Sequence, residues 1–322
     1  MKYLNIKNTN LKPACISIGA ICACEGDAEY AFKQLDIYRE HGGNIIDSAN
    51  VYGKWFPAGK NVCDENIGKW LKSRKCRDEF IVTTKGGHPA IDDHEQKHSR
   101  LKKSDVLSDL DESLSALDTD NIDLYYLHRD DVNIPAGEII EYLNDFIKDG
   151  KIKYPGCSNW SPERIKEAND YAESHGLTGF VANQLLWSLA IADMNYYPVP
   201  GCKNMNDKTY SYHIETGLSA FAYASQAGGF FTKMQNTDDK PISDDMKNFY
   251  GSSENINRYE RAVSLVNKLE VPLSSIIIAY LTSQPFPTSA ITGTYTIEKL
   301  LDSLSAADLT LSPEHLNYLV NG

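Results

Sequence analysis

The sequence predicts a (β/α)8 TIM barrel, a single domain over residues 1–322 with long loops across its C-terminal face, and three observations carry that prediction. Eight short apolar runs rich in β-formers alternate with longer amphipathic segments, which is the pattern of successive βα units on a parallel sheet. About 300 residues shared among eight such units suits a closed barrel. No strand-to-helix turn carries the G-x-G-x-x-G loop expected of an open doubly wound sheet that binds a dinucleotide.

The strand candidates, in chain order, are ACISIGA (14–20), NIIDSA (44–49), EFIVTTK (79–85), IDLYYLH (122–128), IKYPGCSN (152–159), GFVANQ (179–184), GLSAFAYAS (217–225) and SAITGT (289–294). Helix starts are marked by Ser104-Asp105, by Pro135, and by Ser161-Pro162-Glu163 with Gly176 as the matching stop. Two stretches break the rhythm, 190–216 and 232–253. Both are long enough to be loops over a ligand, and a disordered insertion suits the second equally well.

A formal charge of −12 argues against the basic surface that a nucleic-acid partner requires. No N-terminal basic region leads into an apolar stretch of signal length, and no run of eighteen apolar residues appears, so the expectation is a cytoplasmic, non-membrane protein. Seven scattered cysteines, with Cys22 and Cys24 the only close pair, fit reduced thiols better than a disulfide framework. That pair lacks further ligands at zinc spacing, and His94 and His98 read as solvated loop residues, so no metal site is expected.

Reacting groups in such barrels collect at the C-terminal ends of the strands. There the sequence places Asp47, with Tyr52 just beyond, then Lys85, His128, Ser158 with Asn159, and Asn183 with Gln184. Each of Asp47, Tyr52, Lys85 and His128 alone has an ordinary structural explanation; together they form a complementary set. An ammonium beside a phenol favours phenolate and lowers the phenol's pKa, and a carboxylate keeps that ammonium charged and placed. A neighbouring imidazole can orient a carbonyl and stabilise the alkoxide that develops on it. The set suits carbonyl reduction with Tyr52 as general acid.

These residues, in "IIDSANVYG", "VTTKGG" and "LYYLHRDD", make the chain resemble the aldo-keto reductases over nearly its whole length. The resemblance implies a catalytic tetrad of Asp47, Tyr52, Lys85 and His128 and a nicotinamide dinucleotide laid extended across the barrel mouth. It implies that Ser158, Asn159 and Gln184 meet the nicotinamide carboxamide and that Tyr223 stacks on the ring. The run Ala224, Ser225, Gln226, Gly228 is similar to the loop along the pyrophosphate. Gly293, Thr294, Tyr295, Lys299 and Asp302 correspond to the segment around the ribose 2′ position and adenine. There Tyr295 stands where the family carries a cation, and Ala20 where it commonly has threonine. The family implies NADP(H), with NAD(H) a close alternative because a 2′-phosphate without that cation loses a charge-assisted contact.

Trp55 and Trp187 are the substrate-binding candidates, with Phe56, His88, Arg129 and Trp160 as further pocket residues, for an aldehyde or ketone, including a sugar or polyol derivative. The alternatives are a Schiff-base aldolase working through Lys85, and a cofactor-sensing binding subunit with slow turnover. The small-molecule carbonyl substrate is the one partner read from the sequence; it says nothing of oligomeric state.

Overall fold

A computed structural model describes residues 1–23, 28–56, 60–93, 95, 98–236 and 241–322, without the side chains of 21 and 22. Cys24 and His94 therefore lie outside the described residues, as does the Cys22 side chain. Apolar β-rich runs become strands in the order β1 (Ile16–Gly19), β2 (Ile45–Asp47), β3 (Ile81–Gly86), β4 (Ile122–Leu127), β5 (Ile152–Ser158), β6 (Ala182–Leu186), β7 (Ser219–Tyr223) and β8 (Thr288–Thr292). They close in sequential order, β8 pairing parallel with β1.

Parallel strands buried on both faces need apolar side chains inside and out, and the alternation of each strand divides them. Ile45, Leu124, Tyr126, Ala182, Phe221 and Ile291 point inward and pack together with Ile6 and Leu11. Those last two come from an N-terminal segment bridged antiparallel between Tyr3 and Ala14, so the chain's first residues plug the barrel at the end from which the strands start. Ile16, Ile18, Ile46, Tyr125 and Leu127 face outward into the larger core beneath the helices.

The helix signals hold with small shifts. Ala136–Lys148 follows Pro135, and Pro162–Ser174 is capped by Ser161, whose hydroxyl accepts from the Arg164 amide. The helix expected at Ser104 begins earlier, at Lys103, with Lys102 as an extended cap making no side-chain bond. The stretch 190–216 ends in a helix, Asp207–Thr216, and 232–253 contributes to helices Phe230–Gln235 and Asp244–Tyr250, residues 237–240 lying outside those described. Among the described residues no single helix is long and apolar enough to cross a membrane, and no group of three or more His, Cys, Asp or Glu side chains is placed to hold a metal.

Cys15, Cys76, Cys157 and Cys202 are free thiols, but Cys63 is disulfide-bonded, which overturns the expectation that every cysteine is reduced. Sequence spacing cannot show this, because a disulfide depends on two backbones approaching within several ångströms.

The helix Val62–Arg74 lies so close to the end of Lys103–Leu117 that a Cβ on Gly68 would meet the Leu117 carbonyl carbon at 2.7 Å and its oxygen at 2.6 Å. Backbone atoms cannot step aside as a flexible side chain can. Gly68→Ala is expected to destabilise the barrel by about 1–3 kcal/mol, the usual range for overpacking, read from the midpoint of chemical denaturation.

Candidate active site

Tyr52 is brought to the barrel mouth by a turn immediately after β2. The ladder continues past the strand's end, Ser48 N–H donating to Thr83 O and Asn50 N–H to Lys85 O, before Tyr52 N–H turns back to Ala49 O. Gly53 allows the next bend, with φ +93° in a place where a Cβ would press on the Val62 amide at 3.1 Å. Register does the rest: Asp47 pairs with Thr83, and Lys85 lies two residues further on the same inward face.

The result is a buried polar knot. Lys85, with no exposed side-chain surface, donates from Nζ to Asp47 Oδ2 at 2.8 Å and to the Ser48 carbonyl at 2.6 Å, and stands 3.4 Å from the Tyr52 hydroxyl. The other Asp47 oxygen accepts from Thr83 Oγ1 at 3.0 Å and Gln184 Nε2 at 2.8 Å. Burial is the largest influence on Lys85 and favours the neutral amine, yet the Asp47 carboxylate and the Tyr52 phenol together hold its pKa above 10.5. A charged amine is no nucleophile. Lys85 does not line the large cavity and reaches only a smaller one beside Asn50, Val51 and His88, so the charge of the amine is what counts against the Schiff-base reading.

The expected lowering of the Tyr52 pKa is corrected. Burial, joined by the Asp47 charge, raises it above 10.0 despite the opposing pull of Lys85. The phenol therefore keeps its proton at neutral pH, with the Lys85 ammonium 3.4 Å from its oxygen.

His128 lies just past β4, its ring 6.0 Å from that of Tyr52 and 4.8 Å from that of His88. Burial first, then the fields of His88, Arg129 and Lys85, push its pKa well below 6.5, so the imidazole is neutral. Its Nδ1 is buried and has no hydrogen-bond partner among the described residues. A bare lone pair is cheaper to strand there than an N–H. The proton accordingly belongs on Nε2, where it can be donated to a ligand. His88, driven by burial to about 4, is neutral too; its Nδ1 donates to Pro89 O at 2.7 Å.

Asp47, Tyr52 and His128 open onto a cavity of about 1620 Å³, larger than the roughly 300–1,000 Å³ of ordinary small-ligand pockets. Ser158, Asn159, Gln184, Tyr223, Ala224, Ser225, Gln226, Gly228, Gly293, Thr294, Tyr295, Lys299 and Asp302 all line it. Several are already engaged. The Asn159 oxygen accepts from Tyr223 Oη at 2.8 Å and from the Lys203 amide, its nitrogen donates to the His128 carbonyl, and its backbone is left-handed at φ 65°. Ser225 Oγ donates to Ile291 O, and Gln226 Nε2 to Ser303 Oγ. Ala227, Gly228 and Gly229 all have positive φ, and the turn closes on itself, Ala227 N–H donating to Ala224 O and Gly229 N–H to Gln226 O, both at 2.8 Å.

Other candidates part company. Trp55 lines the cavity, 5.9 Å edge-on to Tyr52, as do His88 and Arg129. Trp187 does not: it is buried in an aromatic cluster with Tyr210, Tyr280 and Phe286, outside the barrel. Trp160 is likewise core, donating to Arg129 O and packing on Phe180, and Phe56 packs on Trp55 without reaching the cavity lining. Asn183 was placed at a strand end, but β6 runs on to Leu186, and its side chain points away from Gln184 to His213. His98 bonds Asp93. Sequence reasoning missed Tyr197, Val199, Lys233 and Glu298 in the lining. The long irregular stretches were the only signal for the first three.

Fold and rim together are those of a barrel oxidoreductase. The model of the aldo/keto reductase family matches residues 18–321, and the chain belongs to that family. It is 28% identical to norsolorinic acid reductase B of Aspergillus parasiticus, across 97% of this chain and 80% of that protein. Identity is also 28% to an aryl-alcohol dehydrogenase [NADP(+)] of Phanerodontia chrysosporium, over 91% of this chain and 76% of the relative. A probable aryl-alcohol dehydrogenase of Saccharomyces cerevisiae is 28% identical over 90% and 87%.

The packing of the two tryptophans separates their roles. Trp187→Ala is expected to cost about 3–5 kcal/mol of stability, as for a large buried aromatic, whereas Trp55→Ala, at a side chain 45% exposed, is expected to cost less than about 1 kcal/mol; denaturant unfolding of both variants checks this.

Proposed function

We propose that the protein reduces the carbonyl of an aldehyde or ketone, preferentially an aromatic aldehyde, to the alcohol with NADPH. The observation that carries the reading is the buried Asp47–Lys85–Tyr52 knot opening, with His128, onto one large cavity. A bound nicotinamide dinucleotide supplies the hydride. The residues present fit such a group: Ser158, Asn159 and Gln184 bring amide and hydroxyl groups beside Tyr223, the small residues Ala224, Ser225 and Gly228 let the backbone come close to a pyrophosphate, and Lys233 and Lys299 offer positive charge further along the lining.

The chain's own part is to hold the carbonyl and manage one proton. His128 donates from Nε2 to the carbonyl oxygen and orients it. Tyr52 gives its phenolic proton to that oxygen as negative charge gathers there, and Lys85, charged because Asp47 is at 2.8 Å, stabilises the phenolate. Trp55, Ile91, Tyr197 and Val199 make the outer wall apolar, which favours a flat aryl body over a polyhydroxylated one. The names of the aryl-alcohol dehydrogenases among the relatives agree with that choice.

For the cofactor, Tyr295 is exposed and uncharged, and Lys299 is the cation on the same segment. NADPH is accordingly the preferred nucleotide, as the NADP(+) in one relative's name suggests.

Tyr52→Phe should lower kcat for aldehyde reduction by about 10²–10⁴-fold, the range for a general acid, while NADPH fluorescence shows binding nearly unchanged; full turnover in this variant would sink the assignment. Separate NADPH and NADH titrations should favour NADPH, and Lys299→Ala should erase about fivefold of the difference, as for a solvent-screened charge contact. The protonated form of Tyr52 is required, and it is lost only as pH rises through a pKa above 10.0; the neutral form of His128 is required, and it is lost only as pH falls well below 6.5. The kcat/KM profile for reduction should therefore be level across neutral pH, with its alkaline limb centred above 10.0 and its acid limb centred well below 6.5, and a limb centred between those two that vanishes in His128→Gln would contradict the assignment.

A further inference from the structure

Asp64 is fully buried and takes no part in the chemistry just described. It is the third residue of the helix Val62–Arg74, and it exchanges bonds with the cap residue: its N–H donates to Asn61 Oδ1 at 3.2 Å, and Asn61 Nδ2 donates to its Oδ2 at 2.6 Å. Such reciprocal capping explains a carboxylate at this point of a helix. It does not explain the other contacts. Ser48 Oγ donates to Oδ1 at 2.5 Å, Thr84 Oγ1 lies 3.3 Å from Oδ2, and Ser113, on the neighbouring helix Lys103–Leu117, adds a further hydroxyl. Among the described residues no cation stands within ion-pair distance of it.

A buried carboxyl answered only by hydroxyls and an amide is an expensive group for a core to keep, so what it touches matters. Ser48 directly follows Asp47, and its carbonyl accepts the 2.6 Å bond from Lys85 Nζ. Thr84 directly precedes Lys85. Strand alternation sends Asp47 and Lys85 into the barrel and Ser48 and Thr84 outward. Asp64 thus grips from outside the same two strand ends that carry the Asp47–Lys85 pair inside.

We propose that Asp64 is a positioning residue for the reaction: by fixing Ser48 and Thr84 it holds the Ser48 carbonyl under the Lys85 ammonium and so sets where that ammonium meets Tyr52. The proposal rests on the carbonyl reduction proposed above. It is tested with the full chain, NADPH and an aromatic aldehyde, comparing wild type with Asp64→Asn, Ser48→Ala and the double variant. Asn at 64 turns its NH2 either on Asn61 Nδ2, where two donors oppose and the bond is lost, or on Ser48, whose hydroxyl must then turn round to accept, so the charge-assisted grip on the strand end is weakened either way. Ser48→Ala removes the link to the strand end and leaves the bonds to Asn61 and Thr84 in place.

The expected result is a fall in kcat of about tenfold to a hundredfold in Asp64→Asn, the scale of a small misplacement of reacting groups, with the aldehyde KM and the NADPH dissociation constant within about twofold of wild type. Ser48→Ala should lower kcat in the same direction, and the double variant should be no slower than Asp64→Asn, because coupled residues are not additive. A lowered unfolding temperature with unchanged kcat, or two effects that multiply independently, would overturn the proposal. If Asp64→Asn does not fold, an unchanged kcat in Ser48→Ala overturns it by itself. Wild-type protein that reduces no carbonyl overturns both readings, whereas an active wild type with unaffected variants overturns only this one.

Discussion

A lysine with no exposed side-chain surface stays charged inside a barrel only when its charge is answered at hydrogen-bond distance, and Asp47, 2.8 Å from Lys85, answers it. The pair sets the arrangement around it. Its carboxylate needs further donors for its second oxygen, which Thr83 and Gln184 supply, and its ammonium needs a second acceptor, which Ser48 supplies. Such a pair is poor value as a stabiliser, since well-packed apolar residues often do as well or better. What it provides is a fixed positive charge beside a phenol in a site of low dielectric, where that charge acts more strongly than in water.

The barrel separates the demands of folding from those of chemistry by height. At the end where the strands start, Ile6 and Leu11 close the bore with Ile45 and Leu124, so this end is packed with apolar side chains. At the other end the inward positions turn polar, and the same alternation that buried isoleucine lower down presents Asp47, Lys85 and Gln184. Two residues beside the cavity that are not glycine, Asn159 and Ala224, hold left-handed backbones. Neighbouring bonds over-determine Asn159, whose amide is held from both ends by Tyr223 and the His128 carbonyl.

Much of this was legible in the chain. Apolar runs ending on polar residues located the rim, because period-two alternation is a local property that needs no knowledge of neighbours. The residues that the family resemblance assigned to the nucleotide also fall around one cavity, most of them just beyond a strand end and Lys299 and Asp302 on the helix Ile297–Leu304. The errors have a common cause. Trp187 lies one residue beyond the true end of β6, and whether its indole turned into the mouth or into the aromatic cluster at Phe286 depended on side chains about a hundred positions away. Asn183 was misassigned because the edge of β6 was set two residues early.

The sequence by itself determined the set of reacting groups, their order along the chain and the barrel that carries them, since these follow from composition and short-range periodicity. Only the tertiary structure decided how those groups are tuned. Tyr52 is pushed up rather than down because burial by residues remote in sequence outweighs the nearby ammonium. Gln184 reaches Asp47 across 137 positions, and Asp64 meets Ser48 and Thr84 from a different element. Desolvation and hydrogen bonding act through space over a few ångströms, and distances of that kind exist only once the chain has closed its barrel.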